Sequence, residues 1–264
     1  MNWLSAFLNS SIGKKLLMAL TGLFLCTFLL VHMTGNLQLF KDDGGYAFNT
    51  YTVFMTTSPL IKTISYGLYF IILFHAVWGI SIGLANKKAR PVSYQVPGGN
   101  ASSKWASRNM GILGTLILAF IVLHMSGFWA KYKFGELPYK QYMRNMVTNE
   151  MSSDTVNAQL SSKLGTTMET FKTSEMGGMY EVTLVKDMYG TVKMAFQEWW
   201  IVLLYLIGMA AISFHLIHGF KSAFQTLGVH HSKYNNLINF IGVGIFGILI
   251  PIVFAAMPLY FFLT

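Results

Sequence analysis

Four of the seven histidines in this 264-residue chain belong to two short patterns that alternate along it. In order they are His32-Met33-Thr34-Gly35, Phe74-His75 with Gly79, His124-Met125-Ser126-Gly127, and Phe214-His215 with Gly219. Each histidine lies inside a long stretch without Asp, Glu, Lys or Arg. Neutral imidazole is the commonest side-chain metal ligand, and an ionisable group inside a membrane span is costly enough to be read as functional. Two matched pairs of such groups are best explained by bis-histidine ligation of two haem irons.

The elements that must position these ligands follow from composition. The chain is 53% hydrophobic and 11% charged, with a mean hydropathy of +0.48, whereas a soluble domain carries roughly 25% charge. Charged residues bound five long uncharged runs, 16–40, 63–86, 109–130, 199–220 and 234–264. Each can supply the ~20 residues that cross a ~30 Å hydrocarbon core, and a spanning segment must satisfy its own backbone, so five α-helices are expected. The fold class predicted is an all-α membrane protein, a single transmembrane domain over 1–264. Four helices form a dihaem bundle and the fifth, ending near 262, packs outside it. The short polar run 44–61 reads as an interfacial loop, and 131–198 as an extended, irregular outer-face cap. The first apolar stretch has no small-residue cleavage site and is longer than a signal-peptide core, so it is expected to remain as a helix.

Alternating topology gives one face Lys14, Lys15, Lys87, Lys88, Arg90, Lys104, Arg108, Lys221 and Lys233 with no acid. The other face receives every Asp and Glu, most of them in 131–198. Short loops decide orientation, which puts the basic face and the N-terminus in the cytoplasm. That face would attract anionic lipid or dock a soluble partner.

Helix direction then gives the histidines depths. His32 is 17 residues past Lys15 and His124 is 16 past Arg108, which places both ~25 Å from the inner surface, near the outer one. His75 is 13 residues past Lys62 and His215 is 17 past Glu198, which places both ~20–25 Å from the outer surface. The pairs matched in depth are those picked out by pattern: His32 with His124 at an outer haem, His75 with His215 at an inner one. Gly208, Ala211, His215 and Gly219 share one stripe, as do His75, Gly79 and Gly83. Such stripes admit a flat macrocycle or simply close helix packing. His218 competes with His215 but lacks the Phe-His-x-x-x-Gly pattern. His230 and His231 read as loop residues, Cys26 as a small packing residue, and Trp129, Trp199 and Trp200 as an interfacial aromatic belt. Pro251 and Pro258 are expected to kink the last helix or end it early.

With Thr21-Gly22-Leu23-Phe24-Leu25 ahead of His32, the order and spacing of these histidines resemble the dihaem cytochrome b membrane anchor of succinate:quinone oxidoreductases. This is the single-anchor, five-helix type found in succinate dehydrogenases and quinol:fumarate reductases. The resemblance implies two haem b, with the outer one on the first and third helices and the inner one on the second and fourth. It implies a flavoprotein subunit bearing FAD and the dicarboxylate site, and an iron–sulfur subunit, both on the cytoplasmic face of a bacterial inner membrane. The expected substrate on the membrane side is a quinone, usually menaquinone. A higher oligomer of the complex is compatible with this; no nucleic-acid partner is expected. Some relatives carry a glutamate two residues before the fourth-helix ligand as a proton conduit, where this chain has Ser213.

On that resemblance Arg108, Lys221, His218 and the 105–107 segment are candidate propionate contacts at the inner haem. Asn36, Gln38, Asp42, Asp43 and Tyr46 are candidate quinone contacts near the outer one, or ordinary interfacial residues. Competing readings are the reverse, quinol:fumarate reductase direction, the cytochrome b subunit of another respiratory oxidoreductase, and a histidine-lined metal or proton transporter. The latter usually uses intramembrane carboxylates as well, and these runs contain none.

Overall fold

The computed structural model describes residues 2–92, 103–156, 168–175 and 178–264. Among the described residues five helices are long and apolar enough to cross a membrane: Ser11–Phe40, Pro59–Ala89, Met110–Phe134, Trp199–Thr226 and Ser232–Leu263. At most 33% of the most apolar window of any of them is buried inside the protein. Phe70, Leu73 and Leu116 are among many large apolar side chains left exposed, and surface of that kind needs lipid. The chain is a multi-pass membrane protein. Each of these helices takes in at least one lysine at an edge of its apolar run, because backbone hydrogen bonding continues while long Lys stems can carry their ammonium groups toward water.

In chain order the elements are α1 (Trp3–Asn9), α2 (Ser11–Asn36), a 3-10 turn (Leu37–Phe40), α3 (Tyr46–Thr57), α4 (Pro59–Ala89), α5 (Trp105–Arg108) and α6 (Met110–His124). A π-helical stretch (Met125–Ala130) leads into α7 (Lys131–Phe134), followed by β1 (Tyr139–Asn145), β2 (Met151–Val156), β3 (Met168–Glu175) and β4 (Gly178–Lys186). Then come α8 (Met188–Phe196), α9 (Trp199–Thr226), α10 (Ser232–Asn239), a second π-helical stretch (Phe240–Leu249) and α11 (Ile250–Leu263). The chain divides into two compact units, one of 1–33, 65–122 and 202–258, the other of 34–64, 123–201 and 259–264.

The first unit holds the bulk of the spans. Phe120 on α6 lies over Gly208 of α9, where an added Cβ would come within 2.6 Å of its ring, and meets Tyr205 edge-on at 5.0 Å. Phe220 stacks on Phe246 at 5.0 Å. The prolines do not end the last helix, which continues to Leu263 with Pro258 inside it. Pro251 has no N–H to donate to the carbonyl four residues earlier. That carbonyl belongs to Gly247, and the Ser213 hydroxyl of α9 donates to it. Cys26 is buried as a free thiol.

In the second unit, part of the segment expected to be irregular folds as a four-stranded antiparallel sheet in the order β2-β1-β4-β3; residues 157–167 and 176–177 lie outside the described residues. Tyr142 pairs with Thr183 and Ser153, and Lys140 with Val185 and Thr155. One sheet face closes over Val53 through Tyr142 and Val185, with Tyr46, Met151 and Met168 packed around them.

The run expected to be an interfacial loop is also corrected, since 46–57 is the helix α3. Its threonines donate their hydroxyls back to its own carbonyls, Thr50 to Tyr46 at 2.8 Å, Thr52 to Phe48 at 2.8 Å and Thr57 to Val53 at 2.7 Å, so they need no water or loop geometry to be satisfied. Asn49 is 0% exposed and joins three elements. Its Nδ2 donates to Tyr142 Oη (3.0 Å) and Asp187 Oδ1 (2.9 Å), and its Oδ1 accepts from the Tyr189 N–H (2.8 Å). The turn before α3 needs glycine twice, with φ of 63° at Gly44 and 91° at Gly45. The Gly44 carbonyl accepts from Lys140 Nζ at 2.7 Å and Tyr142 Oη at 3.2 Å.

Candidate functional site

Within the first unit, α4 presents His75 and α9 presents His215, with ring centroids 6.4 Å apart and planes at 66°. An imidazole nitrogen binds a first-row metal at about 2.0–2.1 Å, so two imidazoles facing one ion would have centroids about 6.3 Å apart. His75 Nδ1 is 2.8 Å from Thr21 Oγ1 of α2, which leaves Nε2 as the nitrogen a metal could take. His215 Nδ1 is buried with no hydrogen-bond partner among the described residues, a condition that asks for an explanation in a folded protein.

Glycines of the neighbouring spans face both imidazoles. A Cβ at Gly22 would lie 3.4 Å from His75 Cε1, and one at Gly114 would lie 4.0 Å from His215 Cε1. At Gly219, one turn from His215, a Cβ would meet nothing within 4 Å. The donor types and their spacing therefore fit bis-histidine ligation of a haem iron. Among the described residues no three His, Cys, Asp or Glu gather as an all-protein metal site.

Of the expected propionate contacts, Arg108 and Lys221 are exposed and His218 is half-buried on α9; the Arg108 guanidinium donates to the Ser103 carbonyl. Trp78 was not singled out from the sequence. Its indole Nε1 is buried without a partner, and it stacks on Phe74 at 5.4 Å, one turn from His75. The available signal was its i+3 offset from the histidine on an uncharged helix. Thr21 was visible only as one letter of a five-residue resemblance.

The other two histidines fall in different units. His32, in the first, stacks on Phe28 at 5.2 Å and meets Phe254 at 5.5 Å. His124, in the second, meets Phe128 edge-on at 5.6 Å and immediately precedes the π-helical stretch Met125–Ala130, a distortion frequent at functional sites. Gly35 of the His32 pattern is explained by a protein neighbour, because the Tyr51 ring occupies the space a Cβ would need.

Three of the five expected quinone residues, Gln38, Asp43 and Tyr46, line an open cavity of about 510 Å³ in the second unit, with Lys41, Thr50 and Tyr51. Gln38 Oε1 is buried there with no partner. Asp43 is already engaged at the start of α3, accepting from the Gly45 N–H (2.9 Å) and the Ala47 N–H (3.0 Å). Burial holds the Tyr51 hydroxyl protonated above its ordinary range. Asp42 lines a neighbouring cavity of about 370 Å³ with Ser152 and Ser153, and Asn36 ends α2 without lining the larger one. No family model matches the chain, no characterised protein matches its sequence and no solved structure matches its fold.

Proposed function

We propose that this chain is the membrane-anchor cytochrome b subunit of a succinate:quinone oxidoreductase in a bacterial cytoplasmic membrane. In this role it carries electrons between an iron–sulfur subunit on its basic face and a membrane quinone. The observation that carries the reading is the His75–His215 pair, two imidazoles from two spans at the separation one iron requires. The sequence pattern assigns His32 and His124 to a second haem. Bound haem would supply one-electron transfer. His75 and His215 would hold the inner group, and the surrounding apolar spans would exclude water from it.

At the 510 Å³ cavity, the buried Gln38 Oε1 would accept a hydrogen bond from a quinol hydroxyl. Lys41 and Tyr46 offer donors for the oxidised carbonyl oxygens. Ser213 is committed to the Gly247 carbonyl and offers no carboxylate for proton return through the fourth span.

A dithionite-reduced minus oxidised spectrum of the purified chain is expected to show a b-type α band, with two haems per chain by pyridine haemochrome. His75→Ala and His215→Ala should each remove one haem and spare the other. A chain purified without any b-type absorbance overturns the proposal. Copurification with a flavoprotein and an iron–sulfur protein distinguishes this complex from other respiratory cytochromes b.

A further inference from the structure

The Thr21 hydroxyl makes three close approaches: 2.7 Å to the Leu17 carbonyl, 3.3 Å to the Met18 carbonyl and 2.8 Å to His75 Nδ1. It has one proton and two lone pairs. Both carbonyls are acceptors only, and a helical threonine donates by preference to the carbonyl one turn back. With its proton on Leu17 O, Thr21 Oγ1 turns a lone pair toward His75, so Nδ1 must carry hydrogen. The imidazole is then fixed with Nε2 unprotonated, the form that binds a metal.

We propose that Thr21 is a positioning residue for His75, setting its tautomer and ring orientation and strengthening it as a ligand through an Nδ1–H···Oγ1 hydrogen bond. This rests on the haem reading above and adds to it an asymmetry between the two ligands. His75 has a protein partner on its second nitrogen, whereas His215 Nδ1 has none among the described residues. Gly22 belongs to the same device, since a Cβ there would already touch His75 Cε1 at 3.4 Å and a longer side chain would push the ring off its seat. The Thr21-Gly22 pair of the first span is in this way explained by a histidine of the second.

Loss of such an outer partner typically weakens metal binding by about 10–100-fold. In the purified full-length chain, Thr21→Val keeps the shape and removes the acceptor. Its expected effect is confined to one haem, which is either lost on washing or shifted upward in midpoint potential by about 59 mV for each tenfold weakening of ferric over ferrous ligation. Thr21→Ser should restore wild-type content and potential. If wild type holds two haems and His75→Ala loses one, but Thr21→Val retains both at unchanged potentials, the Thr21 role is overturned and the haem reading stands. Absence of haem from wild type instead overturns the haem reading. A measurement that needs neither variant nor haem is the ¹⁵N spectrum of histidine-labelled haem-free protein. His75 is expected as the Nδ1–H tautomer, and an Nε2–H tautomer refutes the proposal even should Thr21→Val fail to accumulate.

Discussion

Gln38 gives the sharpest test of the cavity because its replacement should move stability and function in opposite directions. Its Oε1 is buried and has no hydrogen-bond partner among the described residues, and a buried acceptor left unmade costs about 1–3 kcal/mol. Gln38→Met has nearly the same length and volume and removes that acceptor. Without quinone, the variant should therefore be more stable than wild type by up to about 1–3 kcal/mol. When quinol binds, the wild-type oxygen gains the partner it lacks, a net hydrogen bond of about 0.5–1.5 kcal/mol, which corresponds to a 2- to 10-fold rise in KM for the variant. Thermal unfolding in detergent with quinone removed reads the first quantity, and quinone-dependent turnover of the assembled complex reads the second. A variant less stable than wild type, with unchanged KM, would show that the oxygen is already satisfied and that the cavity binds no quinol through it.

Asn49→Leu should destabilise the second unit by about 3–5 kcal/mol, since the Tyr189 N–H loses its acceptor and Asp187 loses a charge-assisted donor; faster hydrogen exchange in β1 and β4, with the haem spectrum unchanged, is the readout. Ser213→Ala leaves the Gly247 carbonyl without its side-chain donor and should cost about 1–3 kcal/mol in thermal unfolding, while Ser213→Thr retains the bond. Burial raises Tyr51, Tyr142 and Tyr189 above the ordinary tyrosine value of 10.0. The unfolded chain then loses protons that the folded one keeps, so stability is full below pH ~10 and falls as pH rises further. A pH series of unfolding midpoints between 8 and 12 checks this, and a flat profile would contradict it.

The spans were legible because a charge-free run of this length has one physical solution in lipid, and the approach of His75 to His215 because helix direction converts sequence position into depth. The 131–198 segment was not, since its strands alternate weakly: Tyr139-Lys-Gln-Tyr-Met-Arg-Asn and Met168-Glu-Thr-Phe-Lys-Thr-Ser-Glu place polar residues on both faces. Only Val182-Thr-Leu-Val185 on β4 carried a clear β-branched signal. The helix α3 hid behind its threonines, whose propensity favours strands and loops until their hydroxyls are returned to the backbone. For the site, residue type and spacing sufficed to single out His75 and His215 as a pair. The Thr21 hydroxyl beside His75 and the unmet Gln38 oxygen depend on side-chain placement that no spacing encodes.

Asn49 has consequences for biosynthesis as well as for stability. Two of its partners lie 93 and 138 residues further along the chain. At a translation rate of about 5–20 residues per second, α3 waits roughly 7–28 s for Asp187 to be made. The ribosome must also deliver His215 before the His75 pair is complete. Synthesis of the first three spans therefore precedes both closures, and a cofactor held by His75 and His215 would load late in assembly, once the fourth span had been made.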